Sequence, residues 1–241
     1  SLQPEDIGKK VLITCMPKSG SSWLFSVMKE LTGFPEDRYT QGFLQNEQEI
    51  FLPRVVETAR ENGVIQQHFR ATVPNVHVLQ GFGLRPIVLV RNVFDALVSM
   101  RDFYNQGAIV NTFHYADWDL MDEDTRLDLI TETIAPWYVQ FYASWELVRM
   151  EKRIEMLPLR YEDMMADKAG SLKSVAEFCG VHIDPDAIES TIARLSEEKR
   201  RVRFNKGVAG RGEEIFSAAQ KDRIRALTRF YPSVDFSPVG L

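Results

Sequence analysis

Val11-Leu12-Ile13-Thr14, followed by Cys15-Met16-Pro17-Lys18-Ser19-Gly20-Ser21-Ser22-Trp23, is the stretch that decides how the rest of the chain reads. The apolar, β-branched run predicts a buried strand. Beyond it, Leu24, Val27, Met28 and Leu31 recur at helical spacing, and Gly33 stands where a helix would stop. Strand, tight loop of small residues, helix: this order aims loop N–H groups and the positive end of a helix dipole at one spot. The spot is an anion site, and phosphate is the anion expected there. Lys18 adds a cation at its mouth, and Trp23 a flat face on which a base could stack.

The loop is not the common nucleotide-binding pattern G-x-x-x-x-G-K-[ST], because its lysine precedes its only glycine. Pro17-Lys18-Ser19-Gly20-Ser21-Ser22-Trp23 instead resembles the 5′-phosphosulfate-binding loop of the sulfotransferases that use 3′-phosphoadenosine 5′-phosphosulfate (PAPS). A second segment agrees. Pro86-Ile87-Val88-Leu89-Val90-Arg91 reads as another buried strand with an arginine at its carboxyl end, and Asn92 is placed to cap the next helix. Asp95 stands at the reciprocal position of a capping-box-like pair. Ligands of parallel α/β sheets collect at the carboxyl ends of strands. Arg91 offers a permanently charged planar fork, and Ser99 a hydroxyl. Arg91-Asn92-x-x-Asp95-x-x-x-Ser99 resembles the family's 3′-phosphate signature.

Length and composition set bounds. The chain has 241 residues, 44% of them hydrophobic, enough for one large α/β domain. A net charge of -5 argues against nucleic acid as the main partner. No apolar run approaches the ~20 residues of a membrane span, and no charged-then-apolar leader opens the chain. The two cysteines, Cys15 and Cys179, read as free thiols of a reducing compartment, the cytoplasm, and no metal-ligand spacing is present. The first residue is serine, which leaves room for an origin in a larger protein whose partner domain carries the acceptor.

Other segments supply further candidates. Val64-Ile65-Gln66-Gln67-His68 reads as a short strand ending in histidine. The family's catalytic histidine follows such a strand upstream of the 3′-phosphate arginine, so the resemblance gives His68 that role. His77, within the apolar alternation of Val76 and Val78, and His114 and His182 are weaker candidates. Phe103 to Glu132 is aromatic, then acidic, and reads as a loop followed by an amphipathic helix. Its acidic run is either a solvated face or an attractor for a cationic acceptor. Pro136 opens a helix whose Trp137, Phe141, Trp145 and Val148 form a core stripe. Ile154 to Arg160 predicts a third strand, leading into Tyr161, the position of the family tyrosine that touches the base. Ser196 occupies roughly the place of a family hydroxyl that meets adenine. Asn205-Lys206-Gly207 resembles the family loop that closes over the 3′-phosphate, with asparagine where the family has arginine. Lys206, backbone N–H groups, Arg203 or Arg211 would then supply the charge. Glu213 and Ala218 replace two residues of a dimer motif of the cytosolic members, which leaves the oligomeric state open.

The resemblance therefore implies one α/β domain over residues 1–241, with a central, mostly parallel sheet and helices on both faces. It implies transfer of a sulfuryl group from PAPS to a hydroxyl, or less readily an amine, of a small or carrier-bound acceptor, with 3′-phosphoadenosine 5′-phosphate (PAP) as product and no metal. Lys18 and His68 would be catalytic, and Lys18, Ser19, Gly20, Ser21, Ser22, Trp23, Arg91, Ser99, Tyr161, Ser196, Asn205, Lys206 and Gly207 would hold the nucleotide. Segments 34–63 and 104–135 would set acceptor choice. The alternatives are an ATP-dependent small-molecule kinase, for which a Walker B carboxylate is missing, and a non-catalytic nucleotide-binding scaffold.

Overall fold

The structure, a computed structural model, describes residues 7–40, 48–107, 117–201 and 210–241. Its centre is a five-stranded sheet in the order β2-β3-β1-β4-β5, in which every pairing is parallel. The strands are β1 (Lys10–Cys15), β2 (Glu36–Asp37), β3 (Gly63–Gln67), β4 (Pro86–Val90) and β5 (Leu157–Arg160). The helices are α1 (Ser21–Thr32), α2 (Leu52–Glu57), α3 (Val73–Gly81), α4 (Val93–Tyr104), α5 (Glu123–Thr133), α6 (Ala135–Met150), α7 (Tyr161–Ala166), α8 (Lys168–Phe178), α9 (Pro185–Arg201), α10 (Arg211–Ile215) and α11 (Ala218–Ala226).

Strand side chains alternate between two cores, as the period of two requires. Val11, Ile13 and Cys15 of β1 join Val64, Ile87 and Leu89 under α1, α8 and α9. Leu12 joins Ile65, Val88 and Val90 on the opposite face, against residues of α4 and α6. All six β1 residues are buried, which is why that strand reads as a continuous apolar run. The expected helix over 136–148 is α6, and Trp145 is wholly buried with its indole N–H donating to the Phe69 carbonyl.

Three local expectations are corrected. Val76-His77-Val78 is not an extended alternation but part of α3, where Pro74 sits in the first turn and Val76 and Leu79 form the buried face. The third strand begins at Leu157 rather than Ile154, because only Leu157–Arg160 finds the edge of β4. Asp95 does not complete a capping box. The Asn92 side chain accepts from the Asp95 N–H, but the Asn92 N–H donates to Glu162 Oε1, and the Asp95 carboxylate turns elsewhere.

Candidate active site

The parallel register brings the sequence-predicted residues to one edge of the sheet. Thr14 pairs with Gln67 and Cys15 with Leu89, so the β1 loop begins beside His68, which follows β3, and near Arg91, which follows β4. Val90 pairs with Arg160, so Tyr161 follows beside Arg91. The chain visits β2 and β3 on one side of β1, then β4 and β5 on the other. This is the switch point where open α/β sheets bind ligands.

The β1–α1 loop is held in a conformation that its own sequence does not favour. Lys18 has φ 65°, a left-handed backbone with a side chain attached, and Gly20 has φ 83°. Two distant side chains fix it. The Tyr138 hydroxyl, from α6, donates to the Pro17 carbonyl at 2.8 Å. Arg91 Nη1 donates to the Lys18 carbonyl at 3.0 Å. Ser19, wholly buried, closes the loop on itself by donating to the Met16 carbonyl at 2.6 Å. Its hydroxyl therefore serves the turn. Ser21 accepts from the Gln66 amide at 2.9 Å.

Helix α1 then starts with no side-chain cap at Gly20. Trp23 N–H donates to the Gly20 carbonyl at 3.0 Å, but the Ser21 and Ser22 N–H groups have no acceptor inside their own helix, so this end presents donors to an anion. Gly20 is needed for a second reason. A Cβ there would lie 2.7 Å from Cδ2 of the Tyr161 ring. That ring in turn lies under the Arg91 guanidinium, 4.3 Å from ring centroid to Cζ. Arg91 is buried, and its Nε has no hydrogen-bond partner among the described residues. A buried guanidinium N–H with no acceptor of its own fits an anionic ligand. Trp23 is packed into the α1-side core and is only 6% exposed, so little of its face is open.

Lys18 Nζ lies 4.2 Å from the centre of the Phe103 ring. Burial lowers the lysine's pKa from its ordinary value; Arg91 lowers it further, and Asp102 acts in the opposite sense. His68 Nδ1 is 2.8 Å from the Cys15 carbonyl, which can only accept, so Nδ1 carries the proton and Nε2 is the free base. Burial disfavours the imidazolium, but the Cys15 sulfur and carbonyl more than offset it and hold the ring's pKa above its ordinary value. Gln48 fixes the His68 backbone at both ends, its Oε1 accepting from His68 N–H and its own N–H donating to the His68 carbonyl, each at 2.8 Å.

Sequence reasoning found Ser99 but missed Asp102, Phe103 and the use that Asp95 is put to. Asp95, Ser99, Asp102 and Phe103 recur along α4 at helical spacing and so share a face. The Asp95 carboxylate accepts from Gly210 N–H and Gly212 N–H, both at 2.8 Å. Asp102 lies between Arg101 at 2.8 Å and Arg211 at 2.9 Å. Ser99, 9% exposed, falls between these anchors. They explain why the chain carries Arg211-Gly212 here. A Cβ at Gly212 would sit 2.4 Å from the Phe94 backbone, so only glycine lets α10 lie on α4, and Arg211 neutralises Asp102. A carboxylate three residues into a helix looks like a cap in sequence. Its use by a segment 115 residues away left no local signal.

Asn205, Lys206 and Gly207, with Arg203 and His114, lie outside the described residues. Ser196 is on α9, and its side chain is likewise outside them. Much of the acidic run serves structure. Asp122 caps α5, Glu123 pairs with Arg101 and Arg126, and Asp128 binds Arg223 and Gln220. Among the described residues no cluster of His, Cys, Asp or Glu could hold a metal ion, and no helix is long and apolar enough to cross a membrane.

Comparison with known proteins identifies the family and the fold. The sulfotransferase domain family matches residues 8–206, and the chain belongs to that family. Mouse sulfotransferase 2A6 is 23% identical over 198 residues, which cover 74% of this chain and 62% of that protein. Rabbit sulfotransferase 1C2 is 22% identical, over 94% of this chain and 83% of its own length. Among solved structures, mouse sulfotransferase SULT7A1 complexed with PAP superposes with a TM-score of 0.70 at 19% identity, over 99% of this chain and 88% of that one. Retinol dehydratase in complex with retinol and PAP gives a TM-score of 0.59 at 13% identity, over 97% and 82% of the two chains. At these identities the two structures establish a shared fold.

Proposed function

We propose that this chain transfers a sulfuryl group from PAPS to a hydroxyl of a small or carrier-bound acceptor. The observation that carries the reading is the convergence, at one sheet edge, of an uncapped helix start, a buried arginine with a spare donor and a histidine whose Nε2 is free. The relatives that share the fold include proteins described as complexes with PAP, and this supports a 3′-phosphorylated nucleotide as ligand. Two free thiols fit a cytoplasmic enzyme.

Each residue has a part. The acceptor hydroxyl attacks sulfur as the bond from sulfur to the bridging phosphate oxygen breaks, so positioning is the first demand. His68 Nε2 takes the acceptor proton. Lys18 and the N–H groups at the start of α1 stabilise the charge that grows on the leaving phosphate. Arg91 and Ser99, with Lys206-Gly207, select the 3′-phosphate, while Tyr161 holds the adenine and the buried Trp23 offers it only an edge; Ser196 and Asn205 complete the nucleotide set. Variable segments 34–63 and 104–135 choose the acceptor.

Calorimetric binding of PAP against ADP, without added metal, tests the reading. PAP should bind at least tenfold more tightly, because a charge-assisted phosphate contact contributes about 1.5–3 kcal/mol. Equal binding would favour a kinase. Absent binding of both would overturn the nucleotide site, and PAP binding with no transfer to any acceptor would favour the scaffold. Transfer assayed on a panel of phenols and alcohols then identifies the acceptor.

A further inference from the structure

Cys15 is read from the sequence only as a buried thiol, yet it makes two contacts to the same ring nitrogen of His68. The carbonyl oxygen is 2.8 Å from Nδ1 and the sulfur is 3.3 Å from it. The parallel register accounts for this, since Thr14 pairs with Gln67 and the next residues on the two strands are Cys15 and His68. The sulfur also lies 3.6 Å from the Gln67 carbonyl, toward which its S–H is directed. That orientation turns a sulfur lone pair to the Nδ1–H. Cys15 has no solvent exposure, so in the native chain the sulfur, not water, is the second neighbour of this N–H.

We propose that Cys15 is a positioning residue for His68: its carbonyl fixes which nitrogen carries the proton, and its sulfur fixes the direction of that N–H and so aims Nε2 at the acceptor. A backbone carbonyl alone leaves the ring free to swing about its Cβ–Cγ bond. A second acceptor for the same N–H restricts that freedom. The ionisable group acting on the ring is Cys15. Gln48, against the His68 backbone, is neutral, and Tyr138 of α6 interacts with Cys15. The proposal rests on the reading of His68 as the base. Sulfur and carbonyl both favour the imidazolium that forms as the acceptor proton arrives, so they assist the chemical step as well as the aim.

The test compares Cys15→Ala, which removes the second acceptor, with Cys15→Ser, which keeps one, using PAP affinity to confirm an intact nucleotide site. Turnover in Cys15→Ala should fall about tenfold, with KM for PAPS unchanged. The acidic limb of its pH–rate profile should move to lower pH, because the imidazolium loses a partner. Cys15→Ser should recover most of both. In ¹⁵N-histidine spectra the His68 signal, assigned by its loss in His68→Gln, should report Nδ1–H in the native chain and still in Cys15→Ala, where the carbonyl remains, but with the Nδ1 resonance shifted by the loss of the sulfur contact. If Cys15→Ala does not fold, Cys15→Val fills the space without an acceptor and takes its place. An unchanged turnover and an unchanged acidic limb in Cys15→Ala overturn the proposal. Native turnover in His68→Gln overturns the base reading itself, whatever Cys15 does.

Discussion

Two strand-to-helix junctions lie side by side in this sheet, β1 into α1 and β4 into α4, and they treat the start of their helices in opposite ways. At α4 the Asn92 side chain caps the first turn and the Asn92 N–H is taken by Glu162. At α1 the capping position is Gly20, with no side chain to offer, and the loop's carbonyls are bound instead by Tyr138 and Arg91. One helix start is closed by its own sequence. The other is kept open by residues far along the chain. A helix N-terminus becomes an anion site when the surroundings bind the loop and leave its N–H groups alone. The closed junction contributes differently, as a fixed platform from which Arg91 reaches across to its neighbour.

The comparison can be broken from either side. The largest effect is expected at the open junction from Lys18→Ala, which should lower turnover by about two to three orders of magnitude with a smaller change in PAP affinity, measured by steady-state kinetics and calorimetry. The pH–rate profile follows from the same groups. His68 must be neutral to accept a proton, and its pKa is raised, so the rate should climb with pH through a midpoint above that of a free imidazole. Lys18 must be charged, and its pKa is lowered, so the alkaline decline should begin below that of an ordinary lysine. The bell should be narrower than the free groups would give.

Gly20→Ala comes next. The substitution imposes a left-handed conformation on alanine, costing roughly 1–2 kcal/mol, and drives Cβ into the Tyr161 ring. Loop displacement should cut turnover on the order of a hundredfold, with PAP binding weakened in parallel. Arg91→Ala should weaken PAP by about 2–3 kcal/mol in calorimetry while ADP binding changes less. An equal loss for both nucleotides would mean that Arg91 acts mainly on the Lys18 loop. The smallest effect is expected at the closed junction. Asn92→Ala removes a helix cap and should cost about 1 kcal/mol of stability in chemical denaturation, with PAP affinity nearly unchanged. A large loss of affinity there would erase the distinction between the two helix starts.

Much of the site was legible because its signals are local. A β-branched run, a loop of small residues and an apolar helical stripe sit in one continuous stretch, and each reports its own backbone preference. Arg91 and Ser99 were legible for the same reason. Asp95 was misread because its neighbours suggest a cap, while its partners, Gly210 and Gly212, lie far along the chain. The acidic run at 119–128 read as a solvated face or an attractor for a cationic acceptor, and its Glu123 and Asp128 turn out to be paired with Arg101, Arg126 and Arg223.

Apart from β2, α3 and the start of β5, the sequence by itself determined the strands and the helices α1 and α4, the order of the parallel sheet's chemistry along the chain, and the residue types able to hold a phosphate and move a proton. These follow from propensities and periodicities that act over a few residues. The tertiary structure decided which carbonyls those side chains would grip, which tautomer His68 would adopt, and that Tyr138, Asp95, Asp102 and Cys15 would serve the site. Those outcomes depend on strand register and helix packing, which set distances between residues that no short stretch of sequence brings together.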